Sequence, residues 1–187
     1  MRRRADQVAG TRARIVEATV DLHREVGPAR TTVAEIARRA GVERLTVYNH
    51  FPDERALFGA CQAHWLAQAP PPDPSAHADV ADPEARLEAV LLNLYGWYRE
   101  REDMLRNVVR DAEVLPALAE ALEGQRQHTE RTVELLLEGR RLGAERRLRV
   151  SAVLALLLDF HTWDCLTRAG LDDAGAASAA AAMVGGI

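Results

Sequence analysis

The chain has 187 residues and no lysine; all 24 of its basic residues are arginine. Alanine is abundant as well, and both features read as the codon bias of a GC-rich genome rather than as function. Only two cysteines are present, Cys61 and Cys165, with no CxxC and no ladder of spacings. That excludes a disulfide framework and a cysteine zinc site, and reads as two reduced thiols in a cytoplasmic protein. No apolar run approaches the roughly 18 residues of a membrane span. The basic start "MRRRADQ" has no apolar stretch behind it, so it is not expected to be a secretory signal. Also missing are a Gly-rich phosphate loop, a GxSxG elbow, an HExxH pair, and any Cys–His pair that sequence can place together. The reading is therefore not an enzyme, with no cofactor and no metal. His161 and Asp164 share one helix face with Asp159 close by, but two such ligands do not make a metal site.

What is present is an uneven charge. The net −4 averages a head, residues 1–68, with 11 arginines against 8 acids, and a remainder with 13 arginines against 20 acids. A basic head on an acidic body confines plausible DNA binding to the head. Between them "APPPDPSAHADVADPE" holds five prolines and reads as a linker or loop, residues 69–84. Length allows one domain, or a small head joined to a larger body at 85–187.

Both parts read as helical, so the expected fold class is all-α, with no period-2 strand and no internal repeat. In the head, Ile15, Val16, Ala18, Thr19, Leu22 and Val26 form one stripe, stopped by Gly27-Pro28. Thr32-Val33-Ala34-Glu35 fits a capping box. The helix it opens ends near Arg39, and Gly41 supplies a turn where positive φ is cheap. A short helix follows from about Glu43 to Asn49, then Pro52-Asp53 opens a fourth. In the body the spacing predicts a helix from Asp82, a short one near Met104, a long one from Leu115 closed by Gly143, another from Ala144 to Gly170, and an alanine-rich last one.

Two short helices around a Gly turn make a helix-turn-helix unit. Neither is stable alone, so both must dock on their neighbours. The second places Val42 and Val47 inward and leaves Arg44, Leu45, Thr46, Tyr48, Asn49 and His50 at least partly outward. Arg, Thr, Tyr and Asn are donors suited to phosphates and base edges, and Leu45 suits a thymine methyl. A plain helical bundle with a polar face would show the same spacing.

The stretch "TTVAEIARRAGVERLTVYNHFPDERALF" resembles the TetR family of bacterial transcriptional regulators. The residues that carry the likeness are Thr32, Ile36, Ala37, Ala40-Gly41-Val42, Thr46, Tyr48, His50-Phe51, Pro52 and Leu57. The resemblance implies an N-terminal helix-turn-helix DNA-binding domain and a C-terminal helical ligand-binding and dimerisation domain. It implies a homodimeric repressor on a palindromic operator, with half-sites about 34–36 Å apart or somewhat more, released by a small-molecule effector. Carried onto this sequence, Thr46 and Tyr48 would bind phosphates, and Arg44, Leu45 and Asn49 would reach bases. Thr32 would meet the backbone at a helix N-terminus. His50 would be half structural and Phe51 core. Two positions depart from the pattern: Glu43 stands where a Ser-like cap is usual, and Glu54-Arg55 replaces Lys-Glu, leaving Arg55 to substitute for the lysine. The arm Arg2-Arg3-Arg4 suits the minor groove or phosphates.

In the body, "VSAVLALLLD" is apolar nearly all round and must be covered on two sides, one by its own domain and the other by a second subunit, unless it is the central helix of a monomer. The alanine-rich end would allow close approach there. Candidate ligand-binding residues are Trp97, Tyr98, Met104, Val108, Asp111, His128, Phe160, His161, Trp163 and Asp164, a mainly apolar set suited to an apolar or amphipathic molecule. The alternative is a helical small-molecule binding or carrier protein with a non-functional DNA-binding head.

Overall fold

The computed structural model describes residues 2–186, and side chains from residue 5 onward. The side chains of Arg2, Arg3 and Arg4 thus lie outside the described residues. Among the described residues the elements are eleven α-helices and two short 3-10 turns, with no strand. The chain forms two compact units. The first joins Met1–Pro70 to Glu102–Glu123; the second joins Pro71–Arg101 to Gly124–Ile187. Residues 102–123, expected with the C-terminal body, therefore fold with the head.

In the first unit α1 (Arg2–Glu25) buries Ile15, Val16, Ala18, Thr19, Val20 and Leu22. It packs against α2 (Val33–Ala40), α4 (Glu54–Gln68) and α6 (Glu102–Ala112). The Thr32 hydroxyl caps α2 by accepting from Glu35 N at 3.2 Å. The carboxylate half of the capping box is absent, because Glu35 is engaged by Arg38 instead. Gly41 ends α2 in the left-handed region at φ 65°, and α3 (Arg44–His50) follows. Asp53 caps α4 through Ala56 N at 2.8 Å. Met104 of α6 belongs to the same core as Ile36, Val47 and Phe51, and Val108 packs against it. The short α7 (Pro116–Ala121) lies on α4.

The join between α1 and α6 is polar and partly buried. Asn107 Nδ2 donates to the carbonyls of His23 and Arg24, at 3.2 and 2.8 Å. The buried Asp111 accepts from Ala29 N at 2.9 Å and from Arg110 Nε at 2.7 Å. Burial pushes its carboxyl up, but the Arg110 guanidinium and the Ala29 N–H outweigh this and hold it below its ordinary value. Beside it, burial lowers the His23 imidazole to about 4, although the Asp111 charge opposes the shift. Between about pH 6.5 and 4 the unfolded chain therefore binds more protons at His23 than the folded one. This contribution is intact above the unfolded value and is lost as pH falls, by up to about 3 kcal/mol at the acid end. Urea denaturation of the first unit at several pH values in that window should show this extra acid sensitivity. A His23→Leu variant should lose it; an identical pH slope in the variant would refute the assignment.

The second unit is built on α5 (Pro83–Glu100), capped by Asp82 through Ala85 N at 2.9 Å. Against it pack α10 (Phe160–Arg168), α11 (Asp173–Gly185) and the 3-10 turn Pro74–His77. The remaining helices are α8 (Glu123–Leu137) and α9 (Ala144–Leu157). The expected long helix from Leu115 to Gly143 is broken between α7 and α8 and ends at Leu137. Gly139 takes the positive φ, 79°, and Gly143 instead caps the start of α9. The reason lies outside the helix: Arg86 of α5 is bonded to the Glu138 carbonyl, and Arg140 reaches Leu136 O and Pro83 O, each at 3.0 Å. The expected helix from Ala144 to Gly170 is also two helices, bent by 66° at Leu158-Asp159. Tyr95 and Tyr98 hydroxyls donate to the carbonyls of Leu157 and Leu158 at 2.9 and 2.6 Å, and Asp159 caps α10 through His161 N. The alanine face of α11, Ala176, Ala177, Ala180 and Ala181, is buried within the chain, where α11 packs on α5. Small side chains allow that close packing, so the stripe is used internally rather than kept for a partner. No single helix is long and apolar enough to cross a membrane.

Candidate nucleic-acid interface and effector cleft

The helix-turn-helix presents α3 because one residue anchors it. Val47 is 2% exposed, while Leu45 and Tyr48 on either side are 66% and 55% exposed. Arg44 and Asn49 are exposed, and Thr46 and His50 are half-buried. Phe51 closes the core beneath, with the Arg12 guanidinium 4.7 Å over its ring. One surface of a single turn-and-a-half thus carries a guanidinium, a phenol, an amide and a hydroxyl, which is the donor set for phosphates and base edges. Glu43 stands at the N-cap position without a side-chain cap bond, so its carboxylate is exposed beside that surface.

The neighbouring charges are partly committed. Arg38 pairs with Glu35 and Arg39 with Glu25, and each glutamate is held below its ordinary pKa first of all by its arginine hydrogen bond. Arg55 is paired with Glu120 of α7. Arg55 and Tyr48 line one open hollow with Pro52 and Ala117, so Arg55 must exchange Glu120 for a phosphate to serve as a contact. Sequence reasoning had no means of seeing Glu120, which lies far along the chain. Thr32 is exposed, with its hydroxyl oxygen already used as the α2 cap.

The ligand candidates do not come together. Met104, Val108 and Asp111 stand in the first unit. Trp97, Tyr98, Phe160 and Trp163 form a buried aromatic cluster in the second, with centroid spacings of 5.3–5.9 Å. Exposed His161 turns back on Asp159 at 3.1 Å, and Asp164 lies by Arg168 at 3.5 Å. Among the described residues no three His, Cys, Asp or Glu side chains are placed to hold a metal ion.

Tyr98 and His128 do share a cleft, of about 400 Å³ including the part open to solvent. Sequence reasoning missed its other walls. Pro72, Asp73, Pro74 and His77 come from the proline-rich segment, which is a wall rather than a spacer. Val90, Asn93 and Leu94 come from α5; Gln125, Thr129 and Thr132 from α8; Leu158 from the bend. The only advance signal was a polar stripe of Gln125, His128, Thr129 and Thr132 at helical spacing. Burial lowers the His128 pKa, helped by Arg131 and opposed by Asp73.

Among the described residues the chain is helical throughout, with an exposed helix in one unit and a cleft in the other. Residues 15–61 match the family described as bacterial regulatory proteins, tetR family. An uncharacterised HTH-type transcriptional regulator of Mycobacterium tuberculosis is 42% identical over 59 residues, 32% of this chain and 31% of that protein. The HTH-type transcriptional regulator TtgR of Pseudomonas putida is 35% identical over 101 residues, 51% of this chain and 46% of that one. These matches span less than half the length of either relative. Among solved structures, NalD, the secondary repressor of the MexAB-OprM multidrug efflux pump in Pseudomonas aeruginosa, is 25% identical with a TM-score of 0.62, over 96% of this chain and 95% of that one. The likeness in sequence to the tetR family is thus confined to the N-terminal part of the chain, residues 15–61.

Proposed function

We propose that the protein is a sequence-specific DNA-binding repressor that acts as a homodimer and is released from a palindromic operator by a small molecule. The observation that carries the reading is α3: a helix anchored by Val47 that leaves Arg44, Leu45, Tyr48 and Asn49 uncovered. Its placement in a family head, and the likeness to the repressor NalD, support the same reading. Support for a second copy comes from α9. Its Val150, Leu154 and Leu157 are buried in their own unit, while Leu148 and Leu156 are 72% and 60% exposed, with Ala152 and Ala155 between them also exposed. An apolar stripe of that kind is suited to an isologous contact. The effector, bound in the cleft of the second unit, would favour a conformer whose two recognition helices are mis-spaced for successive grooves. It shifts that balance only by its differential affinity, about 1.4 kcal/mol per tenfold.

Footprinting in the host organism supplies the operator, and two substitutions then test the roles. Tyr48→Phe should weaken operator and random DNA alike, as loss of a phosphate contact does. Asn49→Ala should instead blunt sequence preference, by about 1–3 kcal/mol. Affinity for the operator should also fall steeply between low and moderate salt. A salt-insensitive, operator-blind protein would favour the carrier reading; equal losses for both variants on both DNAs would overturn the residue roles.

A further inference from the structure

The cleft in the second unit has a chemistry that narrows what it can hold, given the ligand-responsive reading on which this inference rests. In a chain with 24 arginines, none lines it. Asp73 is its one carboxylate. That group is fixed in place, because Oδ1 accepts from Ser75 N at 2.9 Å and caps the 3-10 turn. Its pKa is lowered, first by its hydrogen bonds to Ser75, so it stays ionised.

The hydroxyls lining the cleft have given their protons away. Tyr98 donates to Leu158 O at 2.6 Å, Thr129 to Gln125 O at 3.2 Å, and Thr132 to His128 O at 2.9 Å. Each oxygen is left able only to accept. His77 Nε2 and the Asn93 amide are bonded to each other at 2.8 Å, which holds the proline-rich wall against α5. The neighbouring Arg131 is exposed, donates to Gln127 O, and does not line the cleft. Val90, Leu94, Leu158 and the two prolines supply apolar surface. One fixed negative charge on the exposed Asp73, three acceptor-only hydroxyls and an apolar wall, beside the Gln125 amide and His128 imidazole that can each donate or accept, suit a molecule with N–H donors on a cationic end and an apolar body.

We infer that the cleft takes a small primary ammonium compound with an apolar body, and that Asp73, from the segment sequence reads as a linker, is its counter-charge.

Four probes of one shape test this by calorimetry on the full chain near neutral pH: 3-phenylpropylamine, its N,N,N-trimethyl analogue, 3-phenylpropan-1-ol and 3-phenylpropionate. The amine should bind about tenfold or more tighter than the alcohol. It should also beat the trimethyl analogue, which has the charge but no N–H to give, and the carboxylate should bind most weakly. Asp73→Asn keeps an acceptor for Ser75 N and removes the charge; it should cost the amine about tenfold and leave the alcohol within about twofold. Carboxylate or alcohol binding tightest, an amine unaffected by Asp73→Asn, or no probe binding below millimolar would each overturn the inference. Salt-dependent operator binding, measured on the same preparation, separates this failure from failure of the regulator reading: if it persists, only the ligand class falls.

Discussion

Trp163→Ala is expected to destabilise the second unit by about 3–5 kcal/mol, the range for emptying a large buried aromatic site. Trp163 is fully buried on α10. Its ring meets Phe160 at 5.3 Å and Tyr98 at 5.9 Å, and the Arg99 guanidinium lies 4.9 Å from it. Its Nε1 donates to Asp173 Oδ1 at 2.9 Å, and Arg99 pairs with the same carboxylate at 3.0 Å. Truncation therefore opens a cavity and leaves Asp173 with one partner fewer at the start of α11. It also removes a wall from Tyr98, which lines the cleft and holds the Leu158 carbonyl at the α9–α10 bend. Trp163→Phe keeps most of the volume and should cost much less, about 1–2 kcal/mol for the lost hydrogen bond and the smaller ring. Denaturant unfolding of both variants separates the two contributions. If Ala and Phe cost the same, the site is not packed as described.

Gly27→Ala should be nearly as damaging, at about 3 kcal/mol or more, and in the first unit. Gly27 has φ 93° and ψ 156°, a region essentially confined to glycine that costs an L side chain about 1–3 kcal/mol by itself. A Cβ there would also sit 2.3 Å from Arg110 Nη2 and 2.5 Å from Asp111 Oδ2. An exposed arginine end could swing away. Asp111 Oδ2 cannot do so cheaply, because it accepts from Ala29 N and the residue is buried. Moving it strands a charged group and an N–H together. The substitution should lower the unfolding midpoint of the head and weaken operator binding through loss of folded protein. A variant as stable as the parent would show that the join between α1 and α6 is slack.

The same join marks the limit of reading the chain by eye. Gly27-Pro28 announces the end of α1, and it does end at Glu25. The glycine's second task, making room for Asp111 of α6, needs a residue more than 80 positions away. Met104, Val108 and Asp111 look like pocket residues in sequence, as part of a mainly apolar set with a few polar groups. The structure uses them as core and clamp of the head. Likewise five prolines in one stretch exclude an α-helix, but not a wall. Asp73 and His77 acquire meaning only when Asn93 and His128 stand opposite.

Sequence by itself determined the local events. Thr32, Asp53, Asp82 and Gly41 set where helices start and stop in the head and at α5, since a cap acts within four residues of itself. Apolar spacing chose the buried face of α1 and left α3 its one anchor, Val47. Tertiary structure decided where an unbroken apolar run would fold back. Nothing within "VSAVLALLLDFHTW" forbids a straight helix. The Asp159 cap and the Thr162 hydroxyl on Leu156 O permit a break there, and two tyrosines on α5 hold the 66° bend by taking the carbonyls of Leu157 and Leu158. A hydrogen-bond partner some 60 residues distant leaves no periodic trace in the segment it bends, and the cleft that the bend helps to wall was hidden with it.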